Sequence, residues 1–390
     1  MAEIQNECLK IKDEMLSFLQ QLIRIKSFTG AEKEIAECVK KKMIELGYDR
    51  VIETELGDVV GVMGSGPIKI LFDSHMDTVE VNDEENWTYP PFGGEIADGR
   101  IYGRGTVDMK SAIASSVYAG YLAKKLGFDK GRTIYVSASV MEEDFDGNAL
   151  GGIIDELNLK LDYVVICEPS ENKIAIGHRG RALFEVHTHG VSCHGSAPEN
   201  GENAVYIMNE VISRVKEVNR KLYKKSGEHG SVALSKIESS SVSLNAVPDE
   251  CTIYLDRRLT IGETYDVLGT EMDLLVEGLN SDWNVYVAKG KSFTGKDVRM
   301  NSFMEAWSTA ENHPLPKAMA EAYLEQTGKK PEFFKWNFST NGFASTARKI
   351  PTIGIGPGEI KYCHMRDENC KVDDIIEACA IYTGCIERLV

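Results

Sequence analysis

The fold is decided by the stretch IKILFDSHMD, residues 68–77, in which a short apolar run ends abruptly in polar and charged side chains. We interpret residues 68–72 as a buried strand that delivers His75 and Asp77 to its carboxyl end. Alternation along an extended chain puts these two side chains on the same side, so the carboxylate can accept one ring N–H while the other ring nitrogen binds a metal. On these residues alone, a histidine and an aspartate meeting in a polar loop is the better interpretation.

Three further apolar segments end in the same manner. Helical patterns, such as that of residues 111–125, separate the segments, and strands that alternate with helices indicate a mainly parallel α/β sheet. Such sheets bind ligands beyond the carboxyl ends of their strands, so we expect the side chains that follow the strands to meet at one edge. The segments are Arg132–Val140 before Glu142 and Glu143, Tyr163–Cys167 before Glu168, and Pro351–Ile355 before a glycine-rich turn and His364.

Each candidate metal ligand has a simpler explanation when it is taken alone. Asp108, in the turn GRGTVDMK at residues 103–110, fits a helix N-cap, and the acids at 142–144 fit an exposed loop. A solvated strand end explains Glu168 as well as a ligand role does, and a lone histidine before a helix is usually structural. Because all five are expected at one edge of the sheet, a metal site explains them together better than five separate explanations do. Two histidines and three carboxylates suit Zn²⁺, or Co²⁺ or Mn²⁺. The candidate ligands are His75, Asp108, Glu143, Glu168 and His364.

The middle of the chain has a different order of elements. Between Arg181 and Ala288 the apolar patterns predict strand, helix, strand, strand, helix and strand, which is the ferredoxin-like plan. We therefore predict a second domain, residues 182–295. It is inserted into a discontinuous catalytic domain made of residues 1–181 and 296–390.

Composition limits the classes of protein to which the chain can belong. A length of 390 residues agrees with two compact units, and 43% hydrophobic residues are typical of a globular protein. A formal net charge of −16 argues against nucleic acid and against an anionic membrane surface as partners. No apolar stretch suits a signal peptide or a membrane span, and nine scattered cysteines favour reduced thiols. We expect a cytoplasmic protein.

Four motifs give the chain a family resemblance that covers essentially its whole length. They are EEDFDG at 142–147, SCHGSAPE at 192–199, DRRLT at 256–260 and FSTNG at 338–342. Together with the candidate ligands, and in this order, they resemble the metallopeptidase and deacylase family that includes acetylornithine deacetylase, succinyl-diaminopimelate desuccinylase, aminoacylase and glutamate carboxypeptidase. The branch they resemble most is that of the selenium-metabolism-linked hydrolases.

The resemblance implies a site for two divalent ions, and Zn²⁺ is the ion that we expect first. Asp77 would orient a ligand histidine, and the peptide bond between Asp108 and Met109 would be cis. Glu142 would be the general base that takes a proton from the bridging water, leaving a metal-bound hydroxide, and passes the proton to the leaving amine. The two ions would be held by His75 and Glu168, by Glu143 and His364, and by a bridging Asp108.

The inserted domain would, by the same resemblance, serve as a lid and as the contact of a homodimer. His194 would reach the site of the neighbouring subunit and stabilise the developing oxyanion. Asn245 and Arg258 match lid positions that contact the substrate, and an arginine fork suits a substrate carboxylate. Asn341 is a third candidate for substrate contact; it stands where many relatives carry Asp, which leaves the contacts at the substrate end open.

The activity implied by the resemblance is hydrolysis of an amide C–N bond in a small N-acyl amino acid, dipeptide or ureido acid. The alternative is a catalytically silent relative that binds a small ligand or acts as a scaffold. Loss of the base or of a ligand would mark such a protein, and none is lost here. The sequence lacks GxGxxG and Walker-type loops, so a redox or nucleotide-binding role has no support.

Overall fold

The computed structural model describes residues 2–241 and 243–389, in which the chain forms nine α-helices and 21 strands. The helices are α1 (Ala2–Arg24), α2 (Lys33–Glu45), α3 (Lys110–Lys125), α4 (Asn148–Glu156), α5 (Ala204–Tyr223), α6 (Tyr265–Val276), α7 (Pro314–Thr327), α8 (Gly342–Ala347) and α9 (Val372–Arg388). The strands are β1 (Arg50–Glu53), β2 (Val59–Gly64), β3 (Ile68–His75), β4 (Ile96–Ala97), β5 (Arg100–Tyr102), β6 (Arg132–Ser139), β7 (Tyr163–Ile166), β8 (Ile174–His178), β9 (Gly180–His189), β10 (Cys193–His194), β11 (Ser231–Ser239), β12 (Ala246–Val247), β13 (Glu250–Leu259), β14 (Ser281–Val285), β15 (Val287–Lys291), β16 (Asp297–Asn301), β17 (Phe303–Met304), β18 (Trp307–Ser308), β19 (Phe333–Trp336), β20 (Thr352–Gly354) and β21 (Asn369–Lys371).

The largest sheet has the order β1-β2-β6-β3-β7-β20-β8-β18, with β19 also paired to β8. Its central strands β6, β3, β7 and β20 are parallel, which confirms the predicted α/β class with a mainly parallel centre. The flanks β1-β2-β6 and β20-β8-β18 pair antiparallel, which the sequence patterns did not indicate. β3 and β7 are buried along most of their length, as strands covered on both faces must be.

The helix α3 lies directly behind the sheet edge that carries the candidate ligands. It is buried on almost every side and packs against α1, α9 and β3. Even Lys110 at its first turn is buried, and its ammonium donates to the carbonyl oxygens of Leu22 at 3.0 Å and Ile25 at 2.8 Å, near the end of α1. These contacts fix the start of α3, and with it the turn that carries Asp108.

A second sheet has the order β11-β13-β9-β14, with all neighbours antiparallel and β17 also paired to β9. This is the ferredoxin-like arrangement that the sequence predicted. α5 packs on it over a separate hydrophobic core, whose members include Phe184, Met208, Val211 and Ile253.

The hairpin formed by β15 and β16 was not predicted. Its turn reaches the larger domain, where the Thr294 hydroxyl donates to the carbonyl oxygen of Glu55 at 2.8 Å. The predicted boundary at residue 295 falls in this turn, and the division at 182–295 stays a prediction. None of the described helices combines the length and apolar character that a membrane crossing requires.

Candidate active site

Three parallel strands deliver three of the five candidate ligands, together with Glu142, to one edge of the central sheet. β3 ends at His75, β6 ends three residues before Glu142, and β7 ends two residues before Glu168. Met141 has a φ of 59°, a left-handed conformation that is uncommon for a side chain of this size, and it turns the chain directly after β6. The strand ends therefore bring the acids 142, 143 and 168 to the histidine of the neighbouring strand.

Asp108 lies between the two candidate histidines. Its Oδ1 is 2.9 Å from Nε2 of His75, and its Oδ2 is 3.2 Å from Nε2 of His364. The same His364 nitrogen is 3.2 Å from Oε2 of Glu143, and His75 Nε2 is 3.6 Å from Oε1 of Glu168. The peptide bond after Asp108 is cis, as the resemblance implied.

These donor atoms fit two divalent cations. Bonds of about 2.1 Å at the tetrahedral angle put ligand atoms roughly 3.4 Å apart, and the distances of 2.9–3.6 Å agree with that requirement. In addition, Glu143 Oε1 is buried without a hydrogen-bond partner among the described residues, which is the state of an acceptor that a cation would satisfy. Two groups bring their ligand atoms within 4.8 Å of one another, namely His75, Asp108, Glu143 and His75, Glu142, Glu168.

The electrostatics of the cluster show the same need for positive charge. Burial, and then the nearby negative charge of Asp108, raise the pKa of Glu143 to about 7. Burial likewise raises the pKa of Glu142 and of Glu168 well above the ordinary value. Burial opposes ionisation of Asp108 too, but hydrogen bonds from His364 and His75 outweigh it and hold the Asp108 pKa well below its usual range. Carboxylates packed this closely repel one another unless protons or cations lie between them.

Asp77 lies beside His75 and beside the turn that carries Glu142 and Glu143. It is fully buried, its backbone oxygen is 3.0 Å from Nδ1 of His75, and its Oδ1 is 3.5 Å from the same atom. Oδ1 also accepts from the backbone N–H of Glu142 at 2.9 Å, while Oδ2 accepts from the N–H of Glu143 at 3.1 Å and from the Thr29 hydroxyl at 2.8 Å. The Asp77 carboxylate thus orients the turn that carries two acids, whereas the backbone oxygen of Asp77 is the nearer acceptor for Nδ1 of the candidate ligand His75.

Two positioning residues escaped the sequence analysis. Glu368 is fully buried, and its Oε1 accepts from the backbone N–H groups of Val107 at 2.8 Å and Asp108 at 3.1 Å. Its Oε2 accepts from Arg104 at 2.6 Å, and the same guanidinium donates to the backbone oxygen of His364 at 3.4 Å. The pair fixes Asp108 and His364 relative to each other. The glycine-rich turn was the only signal for Arg104, and no pattern linked it to a residue 264 positions away.

A cavity of about 320 Å³ opens over the acids. Two arginines of the antiparallel sheet line its wall, Arg258 on β13 and Arg181 on β9. Arg258 was predicted to contact substrate and does line this cavity. Arg181 was not singled out from the sequence, where it has the pattern of an ordinary strand residue.

His194 and Asn245 lie away from the acids, on the exposed surface of the lid. They come together because β10 pairs with β12, so that His194 lies opposite Ala246, and the Gly195 N–H donates to the Asn245 carbonyl oxygen at 2.6 Å. The only described side-chain partner of His194 is Ser196, at 2.8 Å. Neither residue lines the cavity over the acids, so any role at the site must come from another copy of the chain or from movement of the lid.

Asn341 is placed beneath the site and not in it. Its side chain is 2% exposed, and its Nδ2 donates to Asp73 at 2.8 Å and to Ser139 at 3.3 Å. Its Oδ1 accepts from the backbone N–H of Gly147 at 2.5 Å. These bonds use both amide hydrogens and occupy the oxygen once, so the observed geometry favours a positioning role for Asn341, and the substrate contact stays a prediction.

Comparisons with known proteins agree with this site. Residues 71–388 match the sequence model of peptidase family M20/M25/M40. The chain is 36% identical over 382 residues to the uncharacterized protein YgeY of Escherichia coli K12, covering 96% of this chain and 95% of that one. It is 27% identical over 405 residues to a succinyl-diaminopimelate desuccinylase of Hydrogenovibrio crunogenus, covering 96% and 99%.

A solved structure shows the same fold. The Bacillus subtilis YXEP protein, described as a dinuclear metal binding peptidase from the M20 family, superposes with a TM-score of 0.71. The match covers 97% of this chain and 98% of that one at 12% identity. The family resemblance predicted from the motifs is therefore confirmed, whereas its selenium-linked branch stays a prediction. The chain belongs to peptidase family M20/M25/M40 and is a metal-dependent amidohydrolase or peptidase.

Proposed function

We propose that the protein hydrolyses the amide C–N bond of small N-acyl amino acids, dipeptides or ureido acids, with two zinc ions held by the five predicted ligands. The observation that carries the proposal is the position of Asp108. Its two oxygens contact the two histidines separately, at 2.9 and 3.2 Å, as a bridging carboxylate would. His75 and Glu168 would hold one ion, and Glu143 and His364 the other. When bound, such ions polarise a substrate carbonyl and make water nucleophilic near neutral pH.

Glu142 is proposed as the general base. It lines the cavity, and its Oε2 is 3.9 Å from Nε2 of His75, so it adjoins the ligands. Burial raises its pKa well above the ordinary value, which suits a group that must hold a proton between two transfers. Glu142 would take the proton from the attacking water and deliver it to the leaving nitrogen, so that the products are a carboxylate and an amine.

A homodimer through the lid belongs to the same proposal. β11 is the outer strand of the lid sheet, and it is exposed over most of its length, including Leu234 and Ile237. An unpaired, partly apolar edge strand is a template for pairing with a second chain. His194 of that second copy would then complete the site by donating to the oxyanion of the tetrahedral intermediate, and Asn245 would contact the substrate from the same side.

A cytoplasmic location is also proposed. All nine cysteines are free thiols, which favours a reducing compartment.

The proposal is tested by the variant Glu142→Gln with zinc-loaded protein and a panel of N-acyl amino acids, dipeptides and ureido acids. We expect turnover by the wild type, a loss of about 10²–10⁴-fold in kcat in the variant, and unchanged metal content. The matched control is Glu45→Gln, an exposed residue whose carboxylate pairs with lysines of its own helix. Full activity of Glu142→Gln would refute the assigned base, and two bound ions without turnover of any substrate would favour the silent relative.

A further inference from the structure

The wall of the substrate cavity contains two arginines that face each other across neighbouring strands. Arg181 of β9 and Arg258 of β13 are directly paired in the antiparallel register. Two like charges in this position destabilise a sheet unless a counter-charge lies beside them. Asp256, two residues before Arg258 on the same strand, supplies that charge.

The carboxylate of Asp256 lies closer to the guanidinium of Arg258 than to that of Arg181. Its carboxylate accepts one hydrogen bond from Arg258, from Nη2 to Oδ2 at 3.0 Å, and its Oδ1 lies 2.8 Å from Nε of Arg258 without a hydrogen bond. The distance from Asp256 to Nε of Arg181 is 3.8 Å, beyond hydrogen-bonding range. Nε of Arg181 is buried and has no hydrogen-bond partner among the described residues. Arg258 is thus held by a hydrogen bond and a close ion pair with Asp256, whereas Arg181 is held by neither, and its guanidinium keeps more of its donors for a ligand.

Arg181 also has the more central position. It lines the cavity of about 320 Å³ over the metal-ligand candidates and a neighbouring cavity of about 340 Å³. Glu143 and Asp146 line both cavities as well, so the two spaces meet at these three side chains. Asp144 and Asp146 lie near enough to feel the charge of Arg181, but neither forms an ion pair with it in the described part of the chain.

We infer that Arg181 is the residue that recognises the carboxylate of the substrate, and that Arg258, engaged by Asp256, contributes less. The inference rests on the proposed function in that the carboxylate belongs to a substrate of the same site. A carboxylate bound to the open side of Arg181 would satisfy the unpartnered guanidinium with charge-assisted hydrogen bonds. It would lie where the two cavities meet, leaving the first cavity for the scissile amide.

The test measures binding, so that it does not depend on turnover. Zinc-loaded protein carrying Glu142→Gln is titrated by calorimetry with a panel of N-acetyl amino acids and with their α-carboxamides, which differ only in the negative charge. The quantity of interest is the ratio of the two affinities. We expect the carboxylate to be preferred, and Arg181→Gln to lower that preference about 10- to 100-fold, as loss of hydrogen bonds to a charged group would.

Three further variants sharpen the result. Arg181→Lys keeps the positive charge but loses the planar guanidinium, so the preference for the carboxylate should fall several-fold. The same variant can be measured if Arg181→Gln does not fold. Arg258→Gln should lower the preference less than Arg181→Gln does. The matched control Arg220→Gln removes an exposed arginine paired with Glu217 on the same helix and should change nothing.

Three outcomes would overturn the inference: no preference for the carboxylate, an unchanged preference in both Arg181 variants, or a larger loss in Arg258→Gln. Failure of the proposed function looks different. Wild-type protein that turns over no amide, yet keeps a preference that depends on Arg181, would remove the hydrolase proposal and leave Arg181 as the carboxylate-binding residue of a ligand site.

Discussion

Replacement of Asp77 by Asn tests whether one buried carboxylate organises the site. The change keeps the shape of the side chain but turns one of its two acceptor oxygens into a donor. Three donors now converge on Asp77, the N–H groups of Glu142 and Glu143 and the hydroxyl of Thr29. The hydroxyl can rotate and accept from the new amide, whereas a backbone N–H cannot, so at least one buried donor loses its partner.

An unsatisfied buried donor costs about 1–3 kcal/mol of stability, so we expect the free energy of unfolding of Asp77→Asn to fall by about 2 kcal/mol. Loss of a carboxylate that supports metal ligands typically weakens metal binding about 10- to 100-fold, and here the loss would disturb the turn of Glu142 and Glu143 while the backbone oxygen of Asp77 keeps its contact with His75. Urea unfolding of the metal-free protein measures the first effect, and zinc titration against a competing chelator measures the second. The matched control is Asp155→Asn, an exposed carboxylate paired with Arg348. Folded Asp77→Asn protein with wild-type zinc affinity and activity would refute the reasoning.

Three other predictions concern the candidate metal site and a buried histidine. Removal of metal by a chelator should lower the stability of the protein, and free zinc at 100 times its dissociation constant should restore about 2.7 kcal/mol per site; an unchanged melting temperature would argue against the site. Glu368→Gln should weaken zinc binding although Glu368 is no proposed ligand, because its Oε1 holds the N–H of Asp108 at 3.1 Å; equal affinity in a chelator competition would contradict this. Burial lowers the pKa of His178 to about 3. Above pH 6.5 this histidine is neutral in both the folded and the unfolded chain, so it does not reduce stability there. As the pH falls from 6.5 towards 3, only the unfolded chain takes up the proton, and the free energy of unfolding should fall. The slope should reach about 1.4 kcal/mol per pH unit in urea unfolding, and His178→Asn should remove that part of it.

The sequence predicted the sheet centre and three of the five candidate ligands, His75, Glu143 and Glu168, for a physical reason. β3, β6 and β7 are apolar runs that end at acids or a histidine, and parallel strands place their carboxyl ends at one edge. Position at a strand end is a local property, so it can be read from a pattern. The family resemblance then assigned the ligand and base roles, which the pattern alone could not do and which stay predictions.

The parts that the sequence did not reveal depend on contacts between distant residues. The ion pair of Arg104 with Glu368 joins two turns that no periodicity connects. Asn341 was predicted to contact substrate from its place in a motif, but its fit under the sheet depends on Asp73 and Gly147. The proposed role of Arg181 depends on the pairing of β9 with β13, which places Arg181 opposite Arg258 and which no local pattern predicts.

The hairpin of β15 and β16 was missed for a related reason. Its strands are short and mixed in polarity, with Lys289 and Lys291 exposed on one of them. Such a pattern has no buried face of its own from which a strand could be predicted. The hairpin is instead defined by its packing near Phe145, which closes one side of the second cavity.

We propose that amide hydrolysis requires two cations, both of which Asp108 would help to hold. The most direct measurement is the number of zinc ions bound per chain, determined by calorimetric titration of metal-free protein and followed by turnover of the acyl amino acid panel at each step. We predict two ions per chain and full turnover only when both are bound, with His364→Ala retaining one ion and losing most activity. Binding of one ion or none by the wild type, or full turnover by the metal-free protein, would contradict the claim.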